Sequence, residues 1–544
     1  MTGPGLLDHL DRAASGDSTV HLLCTGESVR WSALWADARA CAGWIERALP
    51  GVQTVAGLLE PTRECLVVLL GTWLAGRTFA SLPAPGRGMG AEEYLAQIRA
   101  LVALAEAGVV VAPLDGGDRG GDLRTLGYED FGRARAASGA DCGRLVQFTS
   151  GSTDRPRGVV LDMAQVGAHT AALAQRVEVG PDDVFFSWLP LSHDMGLIGM
   201  GLTPFACMDP ALGGAREVWL SDPLRFIRSP LTWLRLASDV GGSITAAPTF
   251  ALDLVTRRLA SAPPGLDLSS VRCLIIGSET VEAATLRRFA TVAAPHGFRE
   301  IALCPAYGLA EATLAVTIVP PSTPWSTGPE DGGPVALGPP VDGTDVRVRT
   351  TTDGRDQIEI RGACVAHTFL GRPARHSDDG WLQTGDLGFL HDGSLYFTGR
   401  SSDRLVVRGR NIDADSLQRR VAEVPGVRAG CCAVVADGEN GLSVVIEPAG
   451  GHDQTDMGRL CRAVADAAAR WSGVSPGRVC VVGRGTLPKT PSGKLQRQRL
   501  RDRLADQSIV PLAEASGLRS TIPHPTDQES PPCPSIETSC APSW

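Results

Sequence analysis

Lysine is almost missing from this chain of 544 residues. Of its 51 lysine and arginine residues, Lys489 and Lys494 are the two lysines and the other 49 are arginines. Both lysines lie in the stretch LPKTPSGKLQRQRLR, which begins at Leu487. The sequence therefore raises the question of why lysine is kept here and replaced by arginine everywhere else.

Long apolar runs and a net positive charge are also missing. The best candidate for a membrane span, CLVVLLGTWLAG from Cys65, is shorter than the roughly 18 residues that a bilayer requires and is followed by Arg77. The first residues carry acidic side chains and no cationic leader, which predicts that there is no signal peptide. The net charge of −9 argues against a general nucleic-acid or anionic-membrane binder. We expect a cytoplasmic protein with neither kind of partner.

The fourteen cysteines contain no CxxC pair, and the adjacent Cys431 and Cys432 have no metal-ligand spacing around them. This usage predicts reduced thiols that serve as small hydrophobic core residues. The hydrophobic fraction of 43% and the charged fraction of 20% are those of an ordinary globular protein. The length is sufficient for two to four domains.

Up to about residue 315, amphipathic helical stretches alternate with short apolar runs. SALWADARACAGWIERAL and AEEYLAQIRALVALAEA have helical periodicity, whereas RLVQFTS, DVFFSWLP, SITAAP, VRCLIIGS and IALCPAY are typical of buried strands. This alternation predicts an α/β fold whose large N-terminal domain has layered, mostly parallel sheets. Asp-Gly turns at residues 353–354 and 392–393 predict hairpins, and hence a β-rich subdomain.

Composition divides the chain into three predicted parts. Residues 1–399 form the large domain, and residues 400–505 form a small α/β domain of a size that can fold independently. Residues 506–544 are rich in proline, serine and threonine, which predicts a disordered tail.

A first motif, QFTSGSTDRPRGVV from Gln147, joins a buried strand to small hydroxyl residues and glycine. Small residues let the backbone approach a phosphate closely, and the N–H groups and hydroxyls can bind its oxygens. It is not a Walker loop, because no GK[ST] follows the first glycine at the required spacing. A polar loop without a ligand is the alternative at this point.

Three further motifs place polar groups beside apolar strands. WLPLSHDMGLIGM, from Trp188, contains His193, for which a purely structural role is the alternative. In PAYGLAEATLAV the ring of Tyr307 can stack on a base, and the Glu311 carboxylate can hold a hard cation such as Mg²⁺. In WLQTGDLGFL, Asp386 follows Thr-Gly in a tight turn, which suits the binding of a vicinal diol.

The order and spacing of these motifs resemble those of the adenylate-forming superfamily, which includes acyl-CoA synthetases, fatty acyl-AMP ligases, peptide-synthetase adenylation domains and luciferases. The resemblance covers the chain to about Arg503 and rests on VQFTSGST…RGVV, PAYGLAEAT, TGDLGFL…G.LYFTGR…RGRNI and PSGK. WLPLSHDMGLIG, YGLAEATL and VVRGRN are most similar to the fatty acyl-AMP ligase branch. The resemblance implies ATP and Mg²⁺ as cofactors, and a small mobile C-terminal domain that carries a catalytic lysine.

The resemblance also implies roles for individual residues. It implies that one loop handles the β- and γ-phosphates of ATP, namely Thr149, Ser150, Gly151, Ser152 and Thr153. It implies that a second group lines the adenine, namely Gly277, Ser278, Glu279, Tyr307 and Gly308.

Five other residues would act on the metal, the ribose and the reacting groups. Glu311 would be the Mg²⁺ ligand, Asp386 would bind the ribose hydroxyls, and Arg400 would contact ribose or phosphate. His193 would lie beside the reacting carboxylate. Lys494 would contact that carboxylate and the bridging region of the α-phosphate.

The implied role of Lys494 explains the distribution of lysine. A carboxylate must approach the α-phosphate although both are anions, and an ammonium group between them cancels the repulsion and stabilises the transition state. The planar fork of arginine cannot occupy the same narrow gap. At the phosphate loop the family commonly has lysine where this chain has Arg157, which we interpret as tolerable because the outer phosphates are held loosely. Lys489 is interpreted as a solvated neighbour.

Three features depart from the branch. FLGRPARHSDDGWLQTGD crosses the interval in which fatty acyl-AMP ligases carry an insertion that disfavours CoA, so the insertion is missing here. Ser402 occupies the hinge position that is usually Asp or Lys, and serine can serve as a hinge. Thr249 stands where the branch often has asparagine.

We expect an ATP-dependent ligase that converts a fatty or other hydrophobic carboxylic acid to acyl-AMP in lipid or secondary-metabolite biosynthesis. The acyl group would then pass to a thiol of CoA or of an acyl carrier protein, and residues 195–205 would line the acyl channel. The alternatives are a nucleotide-binding pseudoenzyme or half-reaction ligase that no longer adenylates, a luciferase-like oxidising enzyme, and a structural protein.

Overall fold

The computed structural model describes residues 4–86, 89–112, 124–132, 143–149, 157–260, 265–330, 332–352, 354–371, 373, 375–407, 410–437, 441–450, 454–489 and 495–516. Its internal contacts divide the chain into two compact units. The larger unit comprises Met1–Asp403 together with Pro488–Leu500, and the smaller comprises Arg404–Leu487 and the chain from Arg501 onwards. The stretch with both lysines is thus grouped with the larger unit except for its end residues, Leu487 and Arg501. The predicted limits at residues 399 and 505 stay a prediction.

The larger unit contains two large sheets. In the eight-stranded sheet the inner strands are parallel and both edge strands are antiparallel. In the seven-stranded sheet all strands are parallel to their neighbours except Arg157–Asp162, which is antiparallel to both of its neighbours. In spatial order the strands of the eight-stranded sheet are Ala315–Ile318, Leu303–Gly308, Cys273–Gly277, Ile244–Pro248, Val184–Ser187, Glu217–Leu220, Thr19–Leu22 and Glu27–Arg30. Those of the seven-stranded sheet are Thr368–Leu370, Arg157–Asp162, Arg144–Thr149, Thr78–Leu82, Thr54–Leu58, Val109–Val111 and Thr125–Leu126. Each of the five apolar runs predicted as buried strands therefore contains all or most of an inner strand of one of the two sheets.

Helices cover these sheets because parallel strands are connected by crossovers. The α-helices that lie wholly within the larger unit are Leu6–Ala13, Trp31–Ala48, Arg63–Leu74, Ala91–Leu104, Met163–Arg176, Thr203–Cys207, Pro223–Arg228, Leu231–Val240, Thr249–Leu259 and Ala283–Ala293. One start is encoded locally: the Asp162 side chain accepts from the backbone N–H of Gln165 (2.7 Å), and the Gln165 side chain accepts from that of Asp162 (3.1 Å). This capping box starts the helix directly after its strand.

The predicted β-rich part is an antiparallel sheet of four strands, Thr344–Thr350, Asp356–Gly362, Leu382–His391 and Ser394–Arg400. The last two strands are joined by the predicted two-residue turn. Asp392 (φ 47°) and Gly393 (φ 74°) both lie in the left-handed region that such a turn requires.

The smaller unit has its own buried apolar cluster, built on a hairpin and a four-stranded sheet. The strands are Arg404–Val407, Arg410–Asp413, Val427–Asp437, Gly441–Pro448, Arg478–Val481 and Ala513–Ser516, and the helices are Ala414–Ala422 and Gln454–Ser472. A further helix, Arg497–Ala505, spans the limit at Leu500. The predicted α/β class with layered, mostly parallel sheets is confirmed. Within the described ranges, no helix combines the length and the apolar character needed to cross a membrane.

Candidate functional site

Neighbouring parallel strands bring the predicted adenine residues to one edge of the eight-stranded sheet. The strands that end at Gly277 and Gly308 pair in parallel, so their carboxyl ends meet at the same edge, where α/β proteins commonly bind ligands. Gly277 lies close to the neighbouring strand, since a Cβ atom there would lie 3.2 Å from the carbonyl oxygen of Ala306. Ser278 then adopts a left-handed conformation (φ 70°), and the Glu279 carboxylate accepts from the backbone N–H of Phe250 at 3.2 Å.

The buried residues Tyr307 and Asp386 form one network with Arg400, whose side chain is about half-exposed. The Tyr307 hydroxyl donates to Asp386 Oδ2 at 2.8 Å, and Arg400 Nε lies 3.0 Å from Asp386 Oδ1. Burial, followed by the nearby Asp386 carboxylate, raises the pKa of Tyr307 well above its usual value. Asp386 is only 4% exposed and lies inside the strand Leu382–His391, so the tight turn predicted for it is wrong. Its carboxylate has two oxygens with spare lone pairs, which a diol could use.

The backbone at Gly308 and Gly385 explains the glycines of these motifs. At Gly308 a Cβ atom would lie 2.0 Å from the carbonyl oxygen of Leu314, so only glycine fits. Gly385 has φ 78°, a conformation that favours glycine and precedes Asp386 directly.

Glu311 and Arg157 form an ion pair in the same part of the unit. Arg157 Nη1 lies 3.3 Å from Glu311 Oε1, and its guanidinium lies 4.3 Å from the centroid of the Phe369 ring. Burial raises the pKa of Glu311, although Arg157 opposes that shift. The Nε and Nη2 atoms of Arg157 are buried and have no hydrogen-bond partner in the part of the chain that the structure describes. A partly buried cation with unused donors is suited to an anionic ligand such as phosphate.

The donor set at Glu311 fits a cation that arrives with a ligand. Among the described residues, no cluster of three or more carboxylate, histidine or cysteine side chains could hold a metal by itself. Mg²⁺ is commonly bound by one or two carboxylates together with substrate phosphates. Glu311 supplies one carboxylate, and the unused donors of Arg157 lie beside it, so the residues present fit Mg²⁺ bound to a nucleotide.

His193 lies after the strand Val184–Ser187, at the start of an apolar helical segment. Its Nδ1 atom is 2.6 Å from Asp194 Oδ1, and the Gln147 side chain donates to the Ser192 carbonyl at 2.7 Å. Met195–Leu202 is a π-helix, a rare form that frequently occurs at functional sites. A Cβ atom at Gly199 would lie 2.9 Å from Leu314, so this helix packs directly beside the Tyr307–Glu311 motif.

Sequence reasoning assigned no role to three residues that the fold places at the site. Gln147 connects the phosphate-loop strand to the loop of His193. Phe369 supports the guanidinium of Arg157. Trp188 stacks on Phe226 with 3.7 Å between ring centroids, and its Nε1 atom is buried without a partner among the described residues. Gln147 and Trp188 stood at the starts of quoted motifs, whereas no local signal marked Phe369.

The structure describes the remaining predicted site residues only in part. Thr149 ends the strand Arg144–Thr149 and pairs with Arg157, which places it near Glu311. Ser150, Gly151, Ser152, Thr153 and Lys494 lie outside the described residues. The roles assigned to all of the site residues stay predictions.

Comparison with known proteins agrees with this geometry. The model of the AMP-binding enzyme family matches residues 10–370. A Mycobacterium tuberculosis protein named as a ligase is 30% identical over 521 residues, covering 86% of this chain and 93% of the relative. A Caulobacter vibrioides protein named as an acyl-CoA synthetase is 30% identical over 549 residues, covering 91% and 94%.

A solved structure from a study of fatty acyl-adenylate ligases of E. coli and L. pneumophila superposes with a TM-score of 0.81 at 26% identity, covering 93% of this chain and 98% of that chain. The family model alone matches well over half of the sequence. The chain therefore belongs to the AMP-binding enzyme family.

Proposed function

We propose that this ligase couples ATP to a hydrophobic carboxylic acid, forming acyl-AMP and pyrophosphate, and then passes the acyl group to a thiol. In the first step a carboxylate oxygen forms a bond to the α-phosphorus, and the bond from that phosphorus to the bridging oxygen of pyrophosphate breaks. The observation that carries this proposal is the convergence of Asp386, Glu311 and Arg157. Glu311 lies 3.3 Å from Arg157, and burial raises the pKa of Glu311 while Arg157 lowers it and the more weakly acting Asp386 raises it.

Different residues would bind different parts of the nucleotide. Asp386, held by Tyr307 and Arg400, would accept hydrogen bonds from the two ribose hydroxyls. The edge at Gly277, Ser278 and Glu279 would hold the adenine. Magnesium, when bound, would be held by Glu311 and would reduce the negative charge of the phosphates.

Two cationic side chains would act on the triphosphate, Arg157 at its outer phosphates and Lys494 at its α-phosphate. The unused donors of Arg157 would bind the outer phosphates. Lys494 would lie between the acid and the α-phosphate, with His193 beside the carboxylate. Because two anions repel, positive charge placed at that gap stabilises the transition state more than the separated reactants.

The acyl end of the site supports a hydrophobic acid. The π-helix Met195–Leu202 consists of apolar residues and glycine, and all but Gly199 are buried. A group of aromatic rings follows the strand Val184–Ser187: Trp188 stacks on Phe226, and the ring centroid of Phe250 is 6.2 Å from that of Trp188. Ligand pockets are usually apolar with a few polar groups, and these walls match that description.

The thiol acceptor would be CoA or the phosphopantetheine arm of a carrier protein. One relative, from Mycobacterium tuberculosis, is named as a 4-hydroxyphenylalkanoate adenylyltransferase and is 30% identical over 518 residues, covering 81% of each chain. Another is named as an acyl-CoA synthetase. Only residues 371–381 separate the strand Thr368–Leu370 from Leu382–His391, so the interval is short and leaves CoA as a candidate acceptor.

A panel of acids tests the proposal. Pyrophosphate release would be measured with ATP, Mg²⁺ and fatty, aromatic or terpenoid acids, each with CoA, with carrier protein and with neither thiol. We expect release with at least one hydrophobic acid and a stimulated rate with one thiol. Binding of AMP without pyrophosphate release from any acid would instead indicate a pseudoenzyme, and oxygen consumption would indicate a luciferase-like reaction.

A further inference from the structure

The smaller unit contains a buried carboxylate that the proposed chemistry does not use. Glu447, in the strand Gly441–Pro448, is 0% exposed. Burying a carboxylate is unfavourable unless a cation and hydrogen bonds compensate for the lost water. Arg428 Nη1 lies 2.8 Å from its Oε2, and the backbone N–H of Leu487 donates to its Oε1 at 3.1 Å. Each carboxylate oxygen thus has its own partner.

A register shift in the strand Val427–Asp437 places Arg428 beside Glu447. In the strand Val427–Asp437, Val427 pairs with Pro448 and Cys432 pairs with Ile446. An advance of five residues along this strand therefore lies opposite an advance of two residues along Gly441–Pro448. Arg428 lies in the extra length. Bulges of this kind re-aim side chains and are treated as designed features.

The other partner, Leu487, is the residue at which the chain leaves the smaller unit. The backbone before it is held against the strand of Glu447, since Val482 N–H donates to the Ile446 carbonyl at 2.8 Å and the Arg484 side chain donates to the Ala449 carbonyl. Leu487 itself is 0% exposed. Glu447 is therefore the side chain that fixes the backbone N–H of Leu487, the first residue of the stretch with both lysines.

After Leu487, backbone pairing joins residues 488–489 to residues 495–496, which form the base of the lysine stretch. Lys489 forms an antiparallel bridge with Leu495, and Gln496 N–H donates to the Pro488 carbonyl at 3.0 Å. Lys494 directly precedes Leu495 in the sequence. One peptide bond joins the anchored Leu487 to Pro488 at this base, so a shift at Leu487 would shift the paired residues that flank Lys494.

We propose that Glu447, held by Arg428, is a positioning residue that sets where the lysine stretch begins through the N–H of Leu487. This inference rests on the proposed role of Lys494 in acyl-AMP formation. Misplacement of a reacting group by about 1 Å can cost about 100-fold in rate, so an anchor one residue from the base of the stretch has a measurable effect on the first half-reaction.

Two conservative variants test the length and the charge of the Glu447 side chain separately. Glu447→Gln keeps an acceptor at the distance of the Leu487 N–H but loses the charge, whereas Glu447→Asp keeps the charge but is one methylene shorter. With dodecanoic acid as the probe, we expect Glu447→Asp to lower kcat for pyrophosphate release about tenfold without changing the KM for ATP. Glu447→Gln should remain within about threefold of the wild type.

The second half-reaction, measured separately, distinguishes a positioning role of Glu447 from a general loss of structure. Prepared dodecanoyl-AMP would be offered with CoA and with carrier protein, and thioester formation by Glu447→Asp should match the wild type, because Lys494 acts on the first step. The control is Glu514→Ala, which removes a partner of Arg478 (3.9 Å) on the neighbouring strand. It should leave both half-reactions unchanged.

Lys494→Ala, assayed in parallel, separates the two hypotheses. If Lys494→Ala leaves pyrophosphate release unchanged, the proposed role of Lys494 is wrong, and the positioning role falls with it. If Lys494→Ala loses release but Glu447→Asp keeps it within twofold, the positioning role alone is wrong. A parallel loss of both half-reactions in Glu447→Asp, or a loss in Glu447→Gln as large as that in Glu447→Asp, would also overturn it.

Discussion

Arg157 and Lys494 show, at the scale of single residues, two different uses of a positive charge. Arg157 contacts Glu311 with one nitrogen while its flat face covers the Phe369 ring, and only a planar guanidinium can do both. The implied site of Lys494 is a narrow gap between two anions, which suits a compact ammonium. A chain that has replaced nearly every lysine by arginine therefore keeps lysine where shape as well as charge is required.

Lys494→Ala should lower acyl-AMP formation by about 100-fold or more, a typical cost of removing one electrostatic stabiliser. ATP binding should persist, because the remaining nucleotide contacts come from other residues. Pyrophosphate release and the fluorescence of a labelled ATP analogue would measure the two effects. Lys494→Arg is the matched control for charge, and full activity in that variant would contradict the argument from shape.

Arg157→Met should raise the KM for ATP about tenfold, since a charge-assisted hydrogen bond contributes about 1.5–3 kcal/mol. Arg157→Lys restores the charge without the planar stacking on Phe369 and should give a smaller increase. Steady-state kinetics at several Mg²⁺ concentrations would measure both. An unaltered ATP dependence in Arg157→Met would show that this cation does not bind the phosphates.

Asp386→Ala should weaken ATP binding by about 10-fold to 100-fold, because it removes the acceptor proposed for the ribose hydroxyls. The measurement is the dissociation constant of ATP by calorimetry. Asp379→Ala is the control, because Asp379 is an exposed carboxylate paired with Arg347 and belongs to no proposed binding group. Equal affinities of the two variants would refute the ribose assignment.

At the scale of elements, the π-helix Met195–Leu202 is the least regular part of the site. A π-helix has poorer packing than an α-helix and persists only where the surroundings favour it. Gly196 provides the close approach here, since a Cβ atom at this position would lie 2.1 Å from the Pro190 carbonyl oxygen. The glycine therefore sets the distance between this helix and the loop that leads to His193.

Gly196→Ala should destabilise the larger unit by about 1–3 kcal/mol, the usual cost of overpacking, and should also lower pyrophosphate release. Gly201→Ala is a control in the same helix, because a Cβ atom there would lie 3.4 Å from the carbonyl oxygen of Gly196. Thermal unfolding would compare the two. Equal stabilities would mean that the contact with Pro190 does not constrain the helix.

At the scale of the whole molecule, a buried histidine couples stability to pH. His169 lies in the helix Met163–Arg176, is 0% exposed, and accepts from the Ala315 N–H at 3.1 Å. Burial lowers the pKa of His169 from 6.5 to about 4. Between these values the unfolded chain binds a proton that the folded chain does not, so the stability contribution is fully present above pH 6.5 and is lost as the pH falls toward 4.

The free energy of unfolding of the larger unit should therefore fall by up to about 1.4 kcal/mol per pH unit from this histidine. His169→Gln should show a weaker fall between pH 6.5 and 5, whereas the exposed His391→Gln should keep the wild-type slope. Urea unfolding at a series of pH values is the measurement. Identical slopes in all three proteins would exclude the contribution of His169.

Local patterns in the sequence were sufficient for the class of fold and for several residues that the fold brings together at the candidate site. Continuous apolar runs such as that of Ile244–Pro248 predict buried strands because both faces of a parallel sheet are covered. The turn at Asp392 and Gly393 was predictable because left-handed backbone selects few residue types. The motifs around Tyr307, Glu311 and Asp386 identified residues that the fold brings into one region.

Only the tertiary structure decided which of these groups touch. Tyr307 and Asp386 are 79 residues apart, and their hydrogen bond depends on how a strand of the eight-stranded sheet meets the four-stranded sheet. The stacking of Phe369 under Arg157 and the anchoring of Leu487 by Glu447 arise in the same way. Periodicity reports which face of an element is buried, whereas contacts between distant elements depend on register and packing, which no local pattern encodes.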